Sequence, residues 1–250
     1  MAINVNTVYQ TVLLILNKEQ RGYMTPTEFN SISTQVQLEV FEKYFEDMNQ
    51  QIRVPQTDTD YADRVENIDE KIAIFKTFGS TNYISNNNLN YFVPSRIDSY
   101  GNTAIFYRLG TVLYNNETEV QRVDRSDFYH INKSLLTKPS KTFPVYLYEN
   151  NYLFIKPTTI ISNIQVDYIR KPVDVIWGFT VGSLGQYVYN SNAFDSTIEP
   201  NGSVNFELHD SEQSELILKI LLYAGIVIRD PSIIQAAAQQ VANDEANKKS

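Results

Sequence analysis

Val145-Tyr146-Leu147-Tyr148-Glu149-Asn150-Asn151-Tyr152-Leu153-Phe154-Ile155 sets apolar and aromatic residues on both sides of an Asn-Asn pair. Asn tolerates positive φ more readily than most residues, so the pair predicts a tight turn and the run a β-hairpin. The design recurs upstream, where Thr103 to Tyr114 leads into Asn115-Asn116 and Val120 to Val123 returns. Downstream, Ile164 to Arg170 predicts another strand, ended by Lys171-Pro172. Asn86-Asn87-Asn88 marks a turn or loop, and Pro139, Pro144, Pro157 and Pro172 punctuate the region, because proline cannot sit inside a central strand. Residues 178–205 carry Gly, Ser and Asn with few periodic apolar positions. They predict a long exposed loop with room for a short strand.

On either side the period changes to that of a helix. Val8, Val12, Ile15 and Leu16 predict a helix over residues 3–17, and Gly22 breaks it. Thr25, Pro26 and Glu28 form a strong start signal, with an N-cap, a proline at the first helical position and a capping box. From there to about Asn49, Phe29, Ile32, Val36 and Val40 share one face, and Leu38, Phe41, Phe45 and Met48 another. The faces lie about 130° apart at 100° per residue. Such a helix sits between two neighbours, or between its own core and another subunit. Phe29, Val36, Leu38, Phe41, Phe45 and Met48 are therefore the candidate intersubunit residues. Residues 60–78 predict a third helix on Val65, Ile68, Ile72 and Phe75, stopped at Gly79. Helix returns at 210, capped by Asp210 or Ser211, with Leu216, Ile217, Ile220, Leu221, Ala224 and Ile228 on a wide apolar face. The expected fold is α+β, a helical bundle built from residues 1–79 and 208–250 with a β-rich insert over 80–207.

Composition narrows the function. The chain has 250 residues, with 21 basic against 29 acidic side chains and a net charge of −8. A nucleic-acid grip through a basic surface is not expected of it. Absence of cysteine excludes a disulfide, a thiol nucleophile and a thiolate metal site. Histidine occurs only at 130 and 209. Aromatic residues make up 12%, which marks a folded chain. Val12 to Leu16 lacks a preceding basic cluster, and Leu216 to Ile228 contains Lys219 and is too short for a bilayer, so no membrane partner is expected. Phosphate-loop, dinucleotide, zinc-protease and nucleophile-elbow patterns are missing. Asp58-x-Asp60-x-x-Asp63 lacks the Gly and Glu of a calcium loop and reads as a solvated helix start. Glu207, His209 and Asp210 read as capping groups, and His130 near Asp124 and Asp127 has no Ser or Cys at a recognisable spacing. Arg122, Arg125 and Arg170-Lys171 read as solvated or intersubunit charges, and the many tyrosines suit interfaces as well as sheet packing. No enzyme, metal or cofactor is expected.

Three stretches resemble virion structural proteins of crAss-like and related tailed phages. They are Val12-Leu13-Leu14-Ile15-Leu16-Asn17-Lys18-Glu19-Gln20-Arg21-Gly22-Tyr23-Met24-Thr25-Pro26-Thr27-Glu28-Phe29-Asn30, then Tyr168-Ile169-Arg170-Lys171-Pro172 with Trp177 after it, and Phe206-Glu207-Leu208-His209-Asp210-Ser211-Glu212-Gln213. The likeness runs from the first helix to about Ile228 and points to the ring, or head-to-tail adaptor, proteins of the neck. It implies a ring of about twelve copies below the portal, built in the host cytoplasm, that extends the DNA channel and carries tail attachment. Its partners would be itself, the portal and further ring or tail proteins, with DNA passing through without sequence-specific binding. A net acidic ring repels the DNA backbone and lets it slide. Two other classes stay open on the residues alone: a tail-associated adhesion module using its tyrosines, and a hydrolase built on the β region.

Asp230-Pro231 starts a last segment that offers only Ile233, Ile234, Val241 and alanines for burial. So little apolar area barely offsets the entropy of ordering some twenty residues, at about 25 cal/mol per Å². The segment either gains order from a partner or packs on its own bundle and frays. The resemblance implies that it docks on the portal. Pro231, Ile233, Ile234 and Val241 would anchor it, with Lys248 and Lys249 near acidic groups.

Overall fold

A computed structural model describes residues 3–18, 24–53, 64–86, 89–99, 104–193, 195, 202–228, 235, 238–240 and 242–243. The helices are α1 (Val5–Lys18), α2 (Pro26–Arg53), α3 (Arg64–Ala73), α4 (Arg125–Lys133) and α5 (Gln213–Ile228). The strands are β1 (Lys76–Asn86), β2 (Leu89–Pro94), β3 (Phe106–Tyr114), β4 (Thr118–Glu119), β5 (Gln121–Arg122), β6 (Val145–Glu149), β7 (Tyr152–Lys156), β8 (Ile164–Arg170), β9 (Phe179–Val181) and β10 (Tyr187–Tyr189). Two compact units result, one from residues 1–74 with 172–250 and one from 75–171.

The first unit is helical. Asn4 starts α1 by accepting from the Asn6 and Thr7 amides at 2.9 and 3.1 Å. Val5, Val8, Val12 and Leu16 then bury one stripe of that helix completely. α2 opens on the expected capping box: the Thr25 amide donates to the Glu28 carboxylate at 2.9 Å, and the Glu28 amide to the Thr25 hydroxyl at 3.3 Å. Phe29, Val36, Phe41, Phe206, Leu208, Leu216 and Ile220 close the core.

The second unit is a nearly closed sheet in the order β4-β3-β8-β1-β2-β7-β6-β5. The long strand β1 serves two neighbours, pairing with β8 over residues 76–80 and with β2 over 81–86. The short run 118–122 laces the ends together: Tyr114 pairs with Thr118 at the β3 edge, and Gln121 and Arg122 pair with Val145 and Tyr146 of β6. Closure of this kind removes free edges. Inside lie Phe92, Val112, Val120, Tyr146, Leu153, Ile155, Ile164, Val166 and Tyr168. β6 is also covered outside, where Phe128 of α4 packs on Val145 and Leu147. Burial on both faces explains why β6 reads as a continuous apolar run.

These two units replace the expected architecture. The chain is a mixed α/β protein with a large, nearly closed eight-stranded sheet, not a helical bundle carrying a β-rich insert. The helix expected over 60–78 ends at Ala73, and Gly79 lies within β1. Phe75, Thr77 and Gly79 are buried while Lys76, Phe78 and Ser80 are exposed, so the two-residue period prevails there. The boundary expected at 79 and 80 accordingly moves to 74 and 75, and residues 172–207 belong with the helices. Where a long loop is expected over 178–205, β9 and β10 pair, and just before it Ile176 bridges to Val204. α4 is a helix inside the region read as β-rich. The hairpin turns stand as the sequence predicts, with φ of 54° and 62° at Asn115 and Asn116, and 51° and 61° at Asn150 and Asn151.

Candidate functional site

α2 holds the segment after the sheet by imitating a strand. Asn30, Thr34 and Gln37 recur at helical spacing and meet alternate residues of an extended chain. The Trp177 amide donates to Asn30 at 2.7 Å, the Val175 amide to the Thr34 hydroxyl at 3.1 Å, and Gln37 donates to the Val173 carbonyl at 2.7 Å. The same Gln37 side chain accepts from the Glu207 amide at 2.9 Å, and the Glu207 carboxylate accepts from the Val173 amide at 2.9 Å. One residue from each of the three stretches that carry the resemblance lies on this framework. Asn30 comes from the first, Trp177 from the second and Glu207 from the third.

This framework presents the hairpin β9–β10. Trp177 stacks on Phe179 and Tyr189, with ring centroids 6.0 and 5.6 Å away, and meets Tyr9 at 4.4 Å. Its indole N–H donates to Asn6 at 3.1 Å. At the far end the side chains face water, with Leu184 91% exposed, Val181 62% and Val188 48%. Residues 175–194 contain no charged side chain. A root packed on Trp177 and three exposed apolar side chains in an uncharged run make this hairpin the candidate functional site.

The expected intersubunit residues are placed differently. Phe29, Val36 and Phe41 are wholly buried and Phe45 nearly so, in the core of their own chain, leaving Leu38 and Met48 half-buried. α2 packs on α3 and α5 of the same chain. Of the expected portal-docking residues, Pro231, Ile233, Ile234, Val241, Lys248 and Lys249 all lie outside the described residues, as do Asp58, Asp60 and Asp63. Gln235, Ala238, Gln239, Gln240, Ala242 and Asn243 of the same segment are helical and exposed.

Polar residues without a recognised motif also concentrate between α2, α3 and α5. Glu215 takes Lys43 at 3.1 Å and Lys219 at 3.6 Å, and Glu212 pairs with Lys71. Burial, then the charges of Glu212 and Glu215, hold the Tyr44 hydroxyl neutral far above the usual tyrosine range. Glu39 accepts from Tyr223 and raises its pKa through that bond. These groups tie helices together. His209 accepts from the Ser211 amide at 3.3 Å as a cap, and Arg125 pairs with Glu149 at 2.9 Å. Among the described residues no cluster of three metal-ligating side chains occurs, and no helix is long and apolar enough to cross a membrane.

No protein-family model matches this chain, and no curated protein matches it.

Proposed function

We propose that this chain is a virion structural protein that forms a ring in the head-to-tail connector of a tailed phage, below the portal. The observation that carries the reading is the uncharged hairpin β9–β10, packed at its root on Trp177 and exposing Val181, Leu184 and Val188. The residues that prompt the resemblance are architectural. Asn30, Trp177 and Glu207 build the framework that presents this hairpin, as a structural protein would require. One protruding contact per copy, met by a different surface on the next, generates a closed ring when the rotation closes. A charge of −8 per copy suits a channel through which DNA slides. In this reading twelve copies surround the DNA, and the segment from Pro231 docks on the portal.

Cryo-electron microscopy of an intact neck tests it. The expected map shows a closed ring with Leu184 buried between neighbouring copies and residues 231–250 against the portal. A single copy at the tail tip, or a ring with Leu184 in solvent, overturns the reading. Deleting 231–250 should leave a soluble protein that no longer attaches to portal-containing heads.

A further inference from the structure

The sheet unit carries a groove of about 690 Å³ beside α4. Its floor is apolar: Phe128 and Leu147 are almost fully buried, and Phe154 is half-buried against them. Its rim is cationic. Lys133, Lys138 and Lys156 have no carboxylate partner among the described residues, while Arg125 is paired with Glu149. Four cations against one carboxylate give the groove a formal charge of +3, within a chain whose total is −8. The rim continues into a loop on which Leu135 and Leu136, 98% and 97% exposed, stand between Lys133 and Lys138.

We propose that this groove is a docking site for an acidic segment of a partner protein that bears aliphatic side chains. The inference does not depend on the ring reading, because it rests on the groove alone. An apolar floor takes aliphatic side chains, and three uncommitted ammonium groups take carboxylates spaced along the same chain. A concavity of this size suits a peptide, whereas a bilayer presents a plane. Single-stranded nucleic acid calls for several stacking faces, and Tyr129 is the one strongly exposed aromatic ring among the described lining residues.

The full-length chain is titrated against a short labelled peptide alternating glutamate and leucine, by fluorescence anisotropy. Parallel titrations use a lysine–leucine peptide, an oligothymidine and phosphatidylglycerol vesicles. Saturable binding of the acidic peptide is expected, weakening as salt is raised. The pair Lys133→Glu and Lys156→Glu should weaken it about tenfold, while Arg96→Glu leaves it unchanged. Protection of residues 128–138 and 153–159 from hydrogen exchange on peptide addition gives a second readout in the unaltered chain. No saturable binding, equal binding of the basic peptide, preference for oligothymidine or vesicles, or an unchanged affinity in the double variant overturns the proposal.

Discussion

The two units solve the same problem, satisfying buried backbone, by different means. In the sheet unit the backbone pairs with itself, strand after strand, and the short run 118–122 serves both edges. Its interior can then be almost wholly apolar and aromatic. In the helical unit the extended segment 173–177 meets a helix, whose backbone groups are already used. Side chains at 30, 34 and 37 supply the missing partners, and mostly buried ion pairs join α2 to α5 and α3 to the turn that leads into α5. A ladder tolerates many side chains at each position, because backbone makes the bonds. A helix imitating a strand depends on particular side chains, so single substitutions there should be felt more strongly.

Hydrogen exchange followed by mass spectrometry separates the units, and Trp177 fluorescence reports on the helical one alone, since it is the single tryptophan. The largest effect is expected from Glu215→Ala, which leaves Lys43 and Lys219 facing each other without their shared carboxylate. Loss of one partner from a mostly buried pair costs about 3 kcal/mol. The Trp177 transition should shift while protection in 75–171 stays. Equal loss in both units would show that they do not unfold separately.

Gln37→Leu should follow, at about 2 kcal/mol, because the Val173 carbonyl and Glu207 amide lose a buried partner. A neutral result would mean that water replaces the glutamine, and the contrast between the units would weaken.

Asn150→Val probes the other side. A β-branched residue at a φ of 51° costs about 1–2 kcal/mol, and the loss should be confined to the sheet unit. Trp177 emission at a given urea concentration should not change.

The smallest effect concerns pH. Donation from the Thr25 amide and hydroxyl holds the Glu28 carboxyl below the usual carboxylate range. Its folded pKa lies below its unfolded one, so the cap stabilises fully above the unfolded value and weakens as pH falls through the carboxylate range. In Thr25→Ala this acid-side dependence should flatten, with about 1 kcal/mol or less lost at neutral pH. An unchanged acid limb would assign the dependence to other carboxylates.

Local chemistry was written plainly in the chain. The capping box at Thr25 and Glu28, the Asn-Asn turns and strand β8 each depend on neighbours within a few residues, and their residue types specify them without reference to the rest. The third helix runs too far in the sequence reading because two periods overlap: Val65, Ile68 and Ile72 continue into Phe75, yet from Phe75 to Ser80 burial alternates at every residue. The candidate hairpin left one sequence signal, the uncharged run 175–194, which looks like a loop until Ile176 finds Val204. The fate of α2 was not legible at all. Two apolar faces fit a neighbouring subunit as well as α3 and α5 of the same chain, because periodicity shows that a face is buried and not by what. Closure of the sheet and the pairing of Asn30 with Trp177 join residues far apart in the chain, and Lys156 reaches the rim of Lys133 and Lys138 only because β7 folds back beside α4. Tertiary structure alone decides such meetings, since they depend on register and on which elements pack.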